Sequence, residues 1–304
     1  MEKLWDRQRG SPIGNGLTLR KMTLSDLKSV EKLCQAVRFD VGIHNLSLYF
    51  RTSPNSWDLI ENDDAEIIAL NAANLSMKNG VAYGYVILMR SDYRGRGLTK
   101  HFGRPWEAMP CVGSATHFSI QRYNVPVWLD KRHSFYGVVL PSRIPKFSLQ
   151  PPVMVRPLEQ ADLKAALSYD LSIIKVDRSE FLSQWLFTQS SSKISRSLVA
   201  LDGHRCVGFG TLRLFAGYFG VSPLYADSAD IALALLCQLA ALLQLGEALY
   251  IPGMADKRVL FQFARQVGLS ITETEIRDAH PAAKQYAQSL PMAKVFAVHE
   301  FWPV

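Results

Sequence analysis

Cysteine is scarce in this chain, and a charge excess of either sign is missing from half of it. Cys34, Cys111, Cys206 and Cys237 lie far apart with no CxxC pair, which excludes a zinc ribbon or a dithiol redox motif. Reduced, buried thiols in a cytoplasmic protein are the expectation. Long apolar runs are missing too. The most apolar stretch, "IALALLCQLAALLQLGEALYI" at residues 231–251, is interrupted by Gln238, Gln244, Gly246 and Glu247. It reads as a buried helix followed by a strand, not as a membrane span. The opening "MEKLWDRQRG" has no apolar core of a secretory leader. The seven histidines show no HExxH spacing, so no metal is expected. GxxxxGK[ST], GxGxxG after a first strand, and GxSxG are also absent. Those absences exclude a Walker phosphate loop, a dinucleotide fold and a serine-hydrolase elbow.

What is present begins with asymmetry. Residues 1–150 hold 20 Lys+Arg against 13 Asp+Glu, whereas residues 151–304 hold 14 of each, so the whole net charge of +7 belongs to the first half. Arg90, Arg94, Arg96, Lys100 and Arg104 crowd together there, opposed by Asp92 and Glu107. Such a local field favours an anionic partner.

An internal repeat organises the chain. "TLRKMTLSDLK" (18–28) aligns without gaps on "MVRPLEQADLK" (154–164), matching Arg20 with Arg156 and Asp26-Leu27-Lys28 with Asp162-Leu163-Lys164. Each reads as a short strand, a capping turn (Thr23 or Ser25; Glu159 or Gln160) and an amphipathic helix. A second anchor sets "VILMRSDYRG" on "YFGVSPLYAD", Tyr93 against Tyr225. With 304 residues there is room for two copies of one domain. The proline-rich "PSRIPKFSLQPP" (141–152) is the linker. The expected fold is therefore α/β, an α+β mixed sheet in two tandem lobes, residues 1–145 and 146–304, each a central sheet flanked by helices.

The stretch "MRSDYRGRGLTKHF" (89–102) follows the apolar strand "YGYVILM" and precedes a segment with helical potential. A glycine-rich turn there presents several backbone N–H groups to one point, and Gly95 and Gly97 remove side chains that would keep an anion away. This loop resembles the pyrophosphate-binding motif R/Q-x-x-G-x-G/A of the GNAT acetyltransferase superfamily. Arg94-Gly95-Arg96-Gly97-Leu98-Thr99 occupies the motif, preceded by Tyr93; Thr99 stands where the family has Gly or Ala, and Pro105 falls in the following helix. The second half is similar to the C-terminal lobe of tandem-GNAT proteins through "YDLSIIKVDRSEFLSQWL", "GFGTLRLFAGYFGVSPLYADS" and "PMAKVFAVHEFWP". There "PLYADS" replaces the glycine loop, with Asp227 and Ser228 expected to cap the next helix and leave that lobe degenerate.

The resemblance implies transfer of an acetyl group from acetyl-CoA to a small-molecule or peptide amine by direct attack. Leu88, Met89, Arg94, Gly95, Arg96, Gly97, Leu98 and Thr99 are the implied cofactor-binding set, with a backbone N–H near Met89 as the oxyanion donor. The family's tyrosine acid, five residues before the phenylalanine of a closing "GF", is missing. "DKRHSF" puts Asp130 there, and "ARQVGL" in the second lobe puts Ala264. Asp130 and Tyr123 are the catalytic candidates, with water and His133 left open beside them. A non-catalytic acyl-CoA-binding or scaffold protein is the alternative function. Nucleic-acid binding ranks third, because the second half is neutral and the cationic run sits on a strand-to-helix turn.

Overall fold

The computed structural model describes residues 10–39, 41–76, 81–103, 111–112, 114–115, 127–187, 193–279 and 289–298. Six strands form the first sheet in chain order: β1 (Ser11–Gly14), β2 (Leu17–Lys21), β3 (Trp57–Asn62), β4 (Ile67–Ser76), β5 (Val81–Met89) and β6 (Cys111–Val112). Helices α1 (Leu27–Ala36) and α2 (Ile43–Thr52) lie between β2 and β3. The β2–β5 strands form an antiparallel meander, and β6 then runs parallel to β5 through Ala82↔Cys111 and Tyr83↔Val112.

The second sheet has nine strands. They are β7 (Ser114–Ala115), β8 (Val127–Val138), β9 (Val153–Pro157), β10 (Ser195–Asp202), β11 (Arg205–Leu214), β12 (Phe219–Ala226), β13 (Ala248–Met254), β14 (Ser270–Ala279) and β15 (Val295–Ala297). Four helices accompany them: α3 (Leu163–Ile174), α4 (Ser179–Leu186), α5 (Ala229–Ala241) and α6 (Arg258–Val267). The β9–β12 meander repeats β2–β5, and β13 pairs parallel to β12 as β6 does to β5.

The repeat seen in the sequence is a repeat of local chemistry. Arg20 forks onto Asp26 with both bonds at 2.8 Å, and the Thr23 N–H donates to the same carboxylate at 2.7 Å. Arg156 forks onto Asp162 at 2.8 and 2.7 Å, where the Glu159 N–H donates at 2.9 Å. In both copies the Asp sits in a single 3₁₀ turn that tightens into the helix, and its carboxylate satisfies an N–H that the helix start leaves orphaned. The second anchor fails. β5 ends at Met89, opposite Ala69, and β12 ends at Ala226, opposite Gly208. Tyr225 lies inside its strand, whereas Tyr93 lies beyond the end of β5.

Sheet membership also departs from the expected lobes. β8, encoded before the linker, lies between β13 and β14 of the second sheet, pairing Phe135 with Ile251 on one side and Ile271 on the other. Each copy thus contributes strands to one shared assembly. The apolar core is shared as well. Tyr49 of α2 stacks on Phe181 of α4 at 5.3 Å and meets Trp185 at 5.6 Å. Gly42, with φ +71°, brings the start of α2 so close that a Cβ would stand 3.3 Å from the backbone of Phe215.

The apolar run 231–251 becomes α5 followed by β13. Eight of the α5 side chains are buried, because the helix is packed between sheet and α6 rather than in lipid. No helix among the described residues is long and apolar enough to cross a membrane. Cys34, Cys206 and Cys237 are buried free thiols. Burial pushes the Cys206 thiol up to about 12 and the Cys237 thiol up to about 11. Since the thiolate is the reactive species, neither is expected to react with a disulfide reagent at pH 8 until the protein unfolds. Prompt native-state modification of either, read by mass spectrometry, would contradict this packing.

Candidate functional site

The loop 90–103 leaves the first sheet at the end of β5. Leu98 and Phe102 anchor it, both buried with Leu17, Leu19, Ile60 and Ile68. Ahead of the anchors, Ser91, Asp92, Arg94, Gly95 and Arg96 are exposed. Gly95 (φ +80°) and Gly97 (φ +73°, ψ 15°) both take left-handed conformations, which glycine adopts without strain. A Cβ on either would meet no protein atom within 4 Å. The N–H groups of Gly95, Arg96 and Gly97 donate to no protein acceptor among the described residues. Three consecutive free donors at an open turn form a concavity suited to an anion.

The expected helix after this loop is a 3₁₀ turn, Leu98–His101, that ends at Phe102. Residues 104–110, where the expected helix would continue and where Pro105 falls, lie outside the described residues.

The cations are not equivalent. Arg90 is committed to Asp92 at 2.7 Å and Glu66 at 2.9 Å, and its bonds hold the Asp92 carboxyl below the usual range. Arg94 donates to the Met89 carbonyl at 3.1 Å, tying the loop back to the strand end. Arg96 lies over the Tyr93 ring at 4.6 Å, with Arg90 over the same ring at 5.3 Å. Of the expected cofactor set, Leu88 and Leu98 spend their side chains on the core, and only their backbones remain available. Thr99 is half-buried in the 3₁₀ turn.

Strand β5 presents an open edge beside this loop. Its pairing with β6 is recorded at Ala82 and Tyr83, and among the described residues no strand continues it toward Met89. Arg90 N–H donates to Ile68 of the β4 side at 3.0 Å. Because successive strand residues face opposite edges, the N–H groups of Ile87 and Met89 point away from β4, into that opening.

The second lobe is built differently at the equivalent place. β12 and β13 pair parallel only through Phe219↔Leu249 and Gly220↔Tyr250. Beyond that they diverge, and β15 enters the gap, pairing Tyr225↔Val295 and Leu224↔Ala297 on one side and Gly253↔Ala297 on the other. The side chains of Val295, Phe296 and Ala297 are buried. Just before β15, Lys294 bonds Asp227 at 2.8 Å and lies over the Tyr169 ring, whose hydroxyl donates to Asp227 at 2.9 Å. Asp227 therefore does not cap α5. Ser228 alone does so, accepting from the Ile231 N–H at 3.3 Å.

The candidate proton donors are not brought to the loop by anything described. Tyr123 lies outside the described residues. Residues 130–135, expected at a helix-to-strand closure, run in the middle of β8, with Asp130 opposite Ile276 in the second sheet. The aromatic residues Trp128, Phe135 and Tyr136 and the terminal Val127 and Val138 of "VWLDKRHSFYGV" suit a strand. His133 packs its ring on Phe261 at 4.8 Å, and its buried Nδ1 has no hydrogen-bond partner. Ala264 is fully buried in α6 and carries no chemistry. Among the described residues no group of three His, Cys, Asp or Glu side chains could hold a metal ion.

The sequence held no sign of two further polar clusters. Arg178 and Asp170 form a buried pair at 2.6 Å with Tyr225 completing the set at 3.1 Å. Arg213, fully buried, donates to Asn45 Oδ1 at 2.9 Å and to the Trp185 carbonyl at 2.5 Å, with its guanidinium 4.2 Å over the Trp185 ring. Asp170 and Arg178 are eight residues apart, but Tyr225 and the Arg213–Asn45 contact come from distant parts of the chain, and no local spacing announces either cluster.

Residues 166–277, from α3 to β14, match the sequence profile of an acetyltransferase (GNAT) domain. No curated protein sequence matches the chain. Solved structures do. A candidate acetyltransferase of Pyrococcus horikoshii superposes with a TM-score of 0.70 over 98% of this chain and 100% of its own, at 14% identity. A GCN5-related N-acetyltransferase of Sphaerobacter thermophilus gives 0.60 over 88% and 96%, also at 14%. A tandem GNAT protein from the clavulanic acid biosynthesis pathway gives 0.57 over 87% and 99%, at 9%. At such identities the likeness is one of fold: two GNAT-like lobes in tandem.

Proposed function

We propose that this chain is an acyl-CoA-dependent N-acyltransferase with a single cofactor site, in its first lobe, and that acetyl-CoA is the donor. The observation that carries the proposal is the contrast between the two equivalent strand ends. In the first lobe the free N–H groups of Gly95, Arg96 and Gly97 adjoin the open edge of β5. In the second, β15 fills the corresponding gap, and no glycine loop follows β12. A sheet edge already paired to protein has no backbone groups left for a ligand.

The residues of the first lobe fit a pyrophosphate. Three consecutive main-chain donors lie where two glycines leave space, and Arg94, Arg96 and Lys100 stand close by in sequence as cations. When bound, the cofactor supplies an activated acyl thioester. The chain's own part is then to hold the phosphates at Gly95–Gly97 and to direct the Met89 N–H at the thioester oxygen, where negative charge develops during attack by an amine. The attacking amine must be unprotonated and the leaving thiolate needs a proton.

Calorimetric titration with coenzyme A tests the reading: one site per chain is expected, with release of radiolabelled acetyl groups to an amine panel following. Two sites per chain would remove the basis of the assignment. The second reading, an acyl-CoA-binding protein without turnover, is favoured by one observation: Ala264, in the place of the family's tyrosine in the second lobe, is inert, and Asp130 lies in the second sheet. One-site binding without transfer to any amine would select it.

A further inference from the structure

A second site of different chemistry lies on the seam between the lobes. α2 of the first lobe faces the start of α3 and the end of α4 across a cleft of about 510 Å³, floored by Arg213 of β11. From α2, His44, Ser47 and Arg51 fall at the spacing of one helical face. Ser183 and Gln184 of α4 also line the cleft, each donating to the Glu180 carbonyl of its own helix, at 3.0 and 3.4 Å. Among the described residues no carboxylate lines the cleft. Of the acids on the bordering segments, Asp162 is engaged with Arg156 and Asp170 with Arg178, and Glu180 of α4 is exposed and outside the lining.

We infer that this cleft binds a small oxyanion, a carboxylate or a phosphate, between the two lobes. Clefts at domain seams are where ligands most often sit, and the charge here has one sign. Arg213 is held rigidly by Asn45, Trp185 and the indole face, so its orientation costs nothing at the moment of binding. Being fully buried, it acts on the cleft through its field, which is strong in a poorly screened interior. Arg51 and His44, both exposed, supply direct contacts; a planar guanidinium can grip a carboxylate or phosphate with two parallel bonds. The site is independent of the cofactor loop, which lies at the far end of β5 and contains none of these residues.

Inorganic phosphate and succinate are the probes, titrated separately into the full-length protein while the Arg213 Nε–H and the Gly95 and Gly97 amides are followed by NMR. A saturable shift of the Arg213 signal is expected with at least one probe, and which probe saturates separates phosphate from carboxylate. Arg51→Gln should weaken that binding about tenfold, since it removes a charge-assisted contact, and His44→Ala should weaken it to a lesser degree by removing an imidazole N–H donor. Both positions are exposed, so the variants keep the fold, which the unchanged Arg213 signal without ligand will report. No saturable Arg213 shift with either probe would overturn the inference. So would binding that Arg51→Gln leaves unchanged, or shifts confined to the Gly95 and Gly97 amides.

Discussion

Gly97→Glu is expected to weaken coenzyme A binding by at least about a hundredfold, close to 3 kcal/mol, while leaving the protein folded. Three effects act together. A side chain at φ +73° carries a backbone cost of roughly 1–2 kcal/mol, because the left-handed region crowds any Cβ. The substituent then occupies the space that the open turn keeps clear, where no protein atom lies within 4 Å. Its carboxylate would finally stand among the N–H groups that are to receive phosphate, repelling it at short range. Gly97→Asn separates these terms, since asparagine tolerates the left-handed region and carries no charge. It should bind more weakly than wild type and clearly better than Gly97→Glu. Arg96→Ala should cost less, about 1–2 kcal/mol, because an exposed cation is screened by solvent. The readout is calorimetric affinity, with a circular dichroism spectrum as the folding control. Undiminished affinity in Gly97→Glu would move the site away from this loop.

The largest expected loss of stability comes from Asp170→Ala. Arg178 is completely buried, and burial works against its charge. The adjacent Asp170 carboxylate outweighs that penalty and holds the guanidinium above its ordinary value. Removing the carboxylate leaves a buried cation with Tyr225 Oη as a neutral acceptor, a change that typically costs about 3–5 kcal/mol. Replacing both partners together, Asp170→Leu with Arg178→Met, should recover most of the loss, because no charge is then left in the interior. Denaturant titration of the three proteins reads the difference directly. A single variant within about 1 kcal/mol of wild type would mean that water reaches Arg178 and that the pair is not desolvated.

The family profile covers the second lobe, yet the geometry that suits a cofactor is in the first. The two facts are compatible. A profile rewards the pattern of buried strands and helices, which the second lobe keeps in full: every side chain of β12 is buried, and α5 is apolar nearly all round. The phosphate loop proposed in the first lobe needs only a few backbone conformations, and Gly95 and Gly97 both take the left-handed one.

By itself the sequence determined whatever depends on near neighbours in the chain. The alignment of residues 18–28 on 154–164 specified two copies of one unit, because Arg20–Asp26 and Arg156–Asp162 are contacts six residues apart that fold the same turn wherever they occur. Periodicity and interruption made residues 231–251 a buried helix and a strand, and the glycine spacing located the open turn at 94–99. Tertiary structure decided the rest. Where β5 and β12 end is a matter of ladder pairing, which cross-strand partners set; Tyr225 lies inside its strand and Tyr93 beyond its own, so local similarity around the two misjudged it. The entry of β15 between β12 and β13, the placement of β8 in the second sheet, and the meeting of His44 and Arg51 with Arg213 each join segments tens to hundreds of residues apart. Their free energy comes from burying surface that exists only after both lobes have formed, so no short stretch of sequence carries its sign.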